Sequence, residues 1–103
     1  MKLPEKVKVG AMVYTVEIVP NMYADRQLYG EVIYGQQVIK IAGDINEARQ
    51  FNVFLHELTH AILFESGDVV DHDERFVRSF SNLLTQVVFD NGWIVGNGQV
   101  GQI

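Results

Sequence analysis

The chain has 103 residues, of which 48% are hydrophobic and 20% are charged, as expected for one folded globular domain. It contains no cysteine, which excludes disulfide bonds, cysteine-ligated zinc and thiol catalysis. The net charge of −5 is not accompanied by a basic stripe, so we expect no nucleic-acid partner.

The first part of the chain predicts short β-strands. β-Branched or alternating apolar residues mark strands near residues 6–9, 13–19, 29–34 and 38–41, and the polar residues 21–28 predict a loop. Because the turns between successive strands are short, we expect a small antiparallel sheet of three to four strands between about residues 5 and 42.

Two helices are predicted after the strands. Apolar residues recur at helical spacing from about residue 46 to 65, and Gly67 provides a natural end for this first helix. Asp44 or Asn46 can cap its beginning. A second apolar stripe predicts a helix from about residue 72 to 90.

The order of the elements predicts the fold class. Strands followed by two packed helices indicate one α+β domain over residues 1–103, in which the glycine-rich tail 93–103 forms no definite element. Residues 1–4 lack an apolar signal region, and the apolar stretch 51–64 is interrupted by polar residues. We therefore expect a cytoplasmic protein without a membrane partner.

The predicted first helix contains an H-E-x-x-H motif at residues 56–60. His56 and His60 are four residues apart and share one helix face, so both imidazoles can bind one metal ion. Glu57 is then placed to take a proton from water activated by that metal. Burying these three side chains without a metal would leave several polar groups to satisfy. The motif therefore predicts a metal site with Glu57 as the catalytic base.

A catalytic zinc ion normally has three protein ligands and an open position for water. The third ligand must follow the first helix, because the strands contain no histidine and few acids. We favour Glu74, which lies on the flank of the second apolar stripe. His72, a good zinc donor, and Asp73 are alternatives, and Asp71 with Glu74 would also form a capping box that needs no metal. Asn82, on the same face as Glu74, is either a support for the site or a solvated residue.

Three segments together resemble a known family. Residues 55–63, 73–77 and 82–84 resemble the small phage and prophage zincins, which are loosely grouped with the ImmA/IrrE-type metallo-endopeptidases. Members of the latter group are usually longer, carry the acidic ligand farther from the motif and act on transcriptional repressors. The resemblance therefore applies to the site and does not extend to repressors as the substrate.

The resemblance implies a minimal zincin-like fold and a Zn²⁺ ion held by His56, His60 and Glu74, with Glu57 as the base. It also implies a polypeptide substrate. In zincins the substrate lies along a sheet edge above the metal, and the strand at residues 37–41 is the closest match to that edge.

The predicted function is a zinc-dependent metallo-endopeptidase, located in the bacterial host cytoplasm if it is phage-encoded. The alternative is a non-catalytic, metal-stabilised phage protein that acts in binding, assembly or inhibition. Glu57 separates the two functions, because a purely structural metal site needs ligands but no base.

Overall fold

The computed structural model describes residues 2–67 and 73–92 of the chain. In chain order the elements are β1 (Lys6–Val9), β2 (Met12–Val19), α1 (Met22–Arg26), β3 (Gly30–Ile33), β4 (Val38–Ala42), α2 (Glu47–Ser66) and α3 (Glu74–Asp90). The predicted α+β class, with a four-stranded sheet and two packed helices, is confirmed. The predicted tail, residues 93–103, lies outside the described residues.

The sheet is mixed, so the predicted antiparallel arrangement is wrong for its central pair. The strand order is β1-β2-β4-β3, and β2 and β4 run parallel, whereas β1–β2 and β3–β4 are antiparallel. β4 carries Ile39, Ile41 and Ala42, all fully buried, and so occupies a central position. β3, which contains Gly30 and Glu31, lies at the edge.

The segment predicted as a loop before β3 contains the short helix α1. Its first turn is capped from a distance, because the Asp44 carboxylate accepts the backbone N–H groups of Tyr23 at 3.0 Å and Ala24 at 2.8 Å. The cap of α2 is Asn46, whose side chain accepts the N–H of Arg49 at 2.9 Å. Asp44 therefore caps α1 rather than α2.

Helix α2 is buried on several sides, as its apolar composition predicts. It packs against β1, β3, β4 and α3. Its buried apolar residues are Phe51, Val53, Phe54, Leu55 and Ala61. It ends at Gly67, which has a φ of 77° and donates its N–H to carbonyls of the last turn, as predicted. In the described part of the chain, no helix is both long and apolar enough to span a membrane.

Helix α3 runs antiparallel to α2 and begins two residues later than predicted. Asp73 caps it, accepting the N–H groups of Arg75 at 3.0 Å and Phe76 at 3.2 Å. Val77 and Ser81 are fully buried on the inner face of α3. The cap at Asp73 makes Glu74 the first residue of the helix and fixes its position beside α2.

Candidate metal centre

The H-E-x-x-H motif lies within α2, on the part of the helix that faces the start of α3. His56 and His60 are one turn apart on the same face, and their ring centroids are 5.2 Å apart. His60 is buried, whereas His56 is partly exposed. The paired imidazoles predicted from the four-residue spacing are therefore present.

Glu74 completes the group from the neighbouring helix. Its Oε1 lies 2.5 Å from His60 Nε2, and its Oε2 lies 3.3 Å from His56 Nε2. The potential ligand atoms of the three residues all lie within 4.8 Å of one another. The structure thus brings together His56, His60 and Glu74 as a group that could bind a metal ion.

The two alternative ligands are placed differently. Asp73 uses its Oδ1 to cap α3, so this oxygen is occupied by backbone N–H groups. His72 and Asp71 lie outside the described residues. Among the described residues, Glu74 is the acid that meets both histidines.

The donor set fits a divalent metal ion. Two imidazole nitrogens and one carboxylate are the ligands of a common type of catalytic zinc site, and such ligands lie about 3.3 Å apart around a tetrahedral ion. The separation of 3.3 Å between His56 Nε2 and Glu74 Oε2 matches this spacing, whereas His60 Nε2 and Glu74 Oε1, 2.5 Å apart, are in direct hydrogen-bond contact. The same donors also accept other divalent transition metals, so the ligand set alone defines a metal site and not the metal.

The electrostatics of His56 and Glu74 favour the protonation states that bind metals. Burial lowers the pKa of His56, and His60 lowers it further, while Glu74 opposes the shift. For Glu74, burial raises the pKa, but the hydrogen bond from His60 and the charges of both histidines lower it below its ordinary value. A neutral His56 and an ionised Glu74 at pH 7 are the forms that coordinate a metal.

Glu57 is buried beside the metal group and is not one of its three members. Burial raises the pKa of its carboxyl to about 7; Glu74 and Glu31 also raise it, whereas His60 opposes the shift. A carboxyl with a pKa near neutrality can take up and release a proton at physiological pH. Its environment is therefore that of a proton acceptor rather than a surface carboxylate.

A cavity of about 440 Å³ opens beside the metal group. It is lined by His56 and Glu57 of α2, by Glu74 of α3, and by Tyr29 and Gly30 where β3 begins. The sheet edge next to the site is therefore β3. The prediction that the strand at residues 37–41 forms the substrate-binding edge was wrong, because this strand, β4, is paired on both sides and has no free edge.

Asn82 also lines the cavity, and its hydrogen bond partner is Asn52 rather than a histidine. Its Oδ1 accepts Asn52 Nδ2 at 3.2 Å, and the same Asn52 group donates to Thr85 Oγ1 at 3.0 Å. This hydrogen bond network joins α2 to α3, and Asn82 therefore supports the arrangement of the helices rather than a ligand. No role at the site was predicted for Asn52, although it lies one turn before His56 on the same face of the helix.

Comparisons of the chain with known protein families, curated proteins and solved structures give no match. The assignment of a function consequently rests on the motif and on the geometry of the site.

Proposed function

We propose that the protein is a zinc-dependent peptidase that cleaves a peptide bond in the cavity between β3 and α3. The observation that carries the proposal is the position of Glu57. A buried carboxylate with a pKa of about 7 lies in the same cavity as the His56, His60 and Glu74 group. A structural metal site has no need of such a group.

The three metal ligands and Glu57 have different roles in the proposed hydrolysis. Zinc bound by the three ligands would polarise the scissile carbonyl and lower the pKa of the attacking water. Glu57 accepts the proton of that water and then passes it to the leaving amine. In the metal-free protein the protonated and ionised forms of Glu57 are similarly stable near neutral pH, so its carboxyl can both accept and release a proton.

The cavity wall suits an extended polypeptide. β3 is paired with β4 on one side, and no described strand pairs with its other side. Its unpaired N–H and C=O groups can add a substrate chain as a further strand. An endopeptidase that binds its substrate in this way agrees with the resemblance to small phage zincins.

The test is hydrolysis of a diverse peptide mixture by the zinc-loaded protein, followed by mass spectrometry, with Glu57→Gln as the matched variant. We expect the wild type to cleave peptides and Glu57→Gln to bind zinc equally well but to lose cleavage by at least a hundredfold. Equal cleavage by the variant would exclude Glu57 as the base. No cleavage by the zinc-loaded wild type would exclude the peptidase.

One observation favours the alternative, a metal-stabilised binding or assembly protein. Phe76, Phe80 and Leu83 are 42%, 48% and 65% exposed on the outer face of α3. Such an apolar surface is typical of a docking face. This second function predicts stoichiometric zinc without hydrolysis, and the same mixture experiment separates it from the first.

A further inference from the structure

Two arginines line the cavity at the end away from His60. Arg49 precedes His56 by seven residues on α2, and Arg78 follows Glu74 by four residues on α3. At 1.5 Å per residue these spacings are roughly 10 Å and 6 Å along the helices. Because the helices are antiparallel, both displacements run in the same direction from the metal group. The cavity therefore has an acidic, metal-binding end and a basic end.

The charges of these two arginines are not neutralised within the described residues. Arg26 forms a salt bridge with Glu31, but no ion pair is found for Arg49 or Arg78 in residues 2–67 and 73–92. The Arg49 guanidinium instead lies 5.7 Å from the ring centroid of Tyr29, which holds it at the cavity wall. In a chain with a net charge of −5, two unpaired guanidinium groups in one cavity form a distinct cationic feature.

The amide of Asn82 adds a neutral donor at the same end. Its Oδ1 accepts the hydrogen bond from Asn52, and its Nδ2 donates to no described residue. Two guanidinium groups and an amide N–H are the donors that bind a carboxylate in proteins.

We propose that Arg49 and Arg78 form a subsite for a carboxylate of the substrate, two or three residues from the scissile bond. This inference rests on the proposed peptidase function. An extended chain advances about 3.3 Å per residue, so two or three residues span the distance from the metal group to the arginines. The carboxylate belongs either to an acidic side chain or to the carboxyl terminus of the peptide.

The test uses peptide probes that bind the metal through one end, so that the position of each residue in the cavity is known. Short alanine peptides carry a hydroxamate, which chelates zinc, at either end, and either Glu or Gln at the first, second or third position from it. A second series contains only alanine and ends in a free or an amidated carboxyl group. Affinities for the zinc-loaded protein are measured by titration calorimetry at low and high salt.

We expect the Glu probe to bind about tenfold more tightly than the Gln probe at the second or third position, with a smaller preference at high salt. The double variant Arg49→Gln, Arg78→Gln should lose this preference. The control Arg75→Gln, on the same helix but outside the cavity, should retain it. If only the free carboxyl terminus gives the preference, the subsite binds a chain end.

Equal affinities for Glu and Gln probes, and for free and amidated ends, would overturn the subsite, as would an undiminished preference in the double variant. The outcome is independent of turnover, because hydroxamate binding requires the metal and the cavity but not hydrolysis. A carboxylate preference in a protein that cleaves nothing would leave the subsite standing and remove the peptidase. Peptide cleavage without a carboxylate preference would support the peptidase and overturn the subsite.

Discussion

Gly30 at the start of β3 lies directly against Glu57 of α2. A Cβ atom at position 30 would lie 3.3 Å from Glu57 Cγ and 2.5 Å from Val53 Cγ1. The second distance is shorter than a real Cβ contact, so only glycine lets the edge strand approach the helix here. The absence of a side chain at position 30 thus allows the edge strand β3 to pack closely against the helix that carries Glu57.

Gly30→Ala should therefore destabilise the fold and disturb Glu57. Overpacking at a tight contact costs about 1–3 kcal/mol, measured here as a loss of unfolding free energy in urea. The control is Gly35→Ala, since a Cβ at position 35 meets nothing within 4 Å. Equal urea midpoints for the two variants would show that β3 can move away from α2 without cost.

Asn52 positions the helix that carries Glu74. Asn52→Ala removes both hydrogen bonds to α3, and we expect zinc affinity to fall about tenfold although the hydrogen bonds of Asn52 go to Asn82 and Thr85 and not to a ligand. Competition with a chelating dye measures this affinity. Gln86→Ala is the matched control, because among the described residues the Gln86 side chain bonds only to Asp90 of its own helix. An unchanged affinity in Asn52→Ala would mean that packing alone fixes α3.

The raised pKa of Glu57 predicts how the stability of the metal-free protein depends on pH. Its carboxyl has a pKa of about 7 in the fold and an ordinary value of 4.5. The folded state therefore holds the proton more tightly, and stability is lost as the pH rises from 4.5 to 7. Glu57→Gln cannot ionise and should avoid this loss.

Urea unfolding in EDTA at pH 5 and pH 8 measures the effect. Between these pH values the wild type should lose about 2.5 kcal/mol more than Glu57→Gln. The control Glu17→Gln, at an exposed position on β2, should behave like the wild type. Parallel pH profiles for the wild type and Glu57→Gln would show that the carboxyl is not desolvated.

Tyr14 joins the sheet to the end of α2. It is fully buried, and its hydroxyl donates to Glu65 Oε2 at 2.6 Å. Burial raises the pKa of Tyr14, as does the bond to Glu65, so the hydroxyl remains a donor. Tyr14→Phe should cost about 1–3 kcal/mol of unfolding free energy, as for a hydrogen bond to a charged group. Tyr23→Phe, at an exposed ring, should cost much less; equal losses would contradict this role for the hydroxyl.

Local spacing in the sequence predicts the metal group well. The four-residue spacing of His56 and His60 places both on one face of any helix, and the amphipathic phase of the second helix places Glu74 on the side that faces them. The end of α2 was also predictable, since Gly67 takes up a left-handed conformation that favours glycine. These features depend on neighbours within one or two helical turns.

Long-range features could not be predicted in the same way. The parallel pairing of β2 and β4 depends on which strand is most deeply buried, and short turns suggested only antiparallel neighbours. Asp44 caps a helix about twenty residues earlier in the chain, and the tight contact at Gly30 involves a residue 23 positions later. Each requires knowledge of how distant segments pack.

The metal content of the purified protein tests the central claim most directly. The protein is prepared without a histidine tag or chelator, and zinc per chain is measured by mass spectrometry for the wild type, Glu57→Gln, His60→Ala and Glu74→Ala. Circular dichroism confirms that each variant is folded. We predict about one zinc per chain in the wild type and in Glu57→Gln, and its loss in both ligand variants. A wild type without zinc after the metal is added back, or full zinc in Glu74→Ala, would contradict the three-ligand centre.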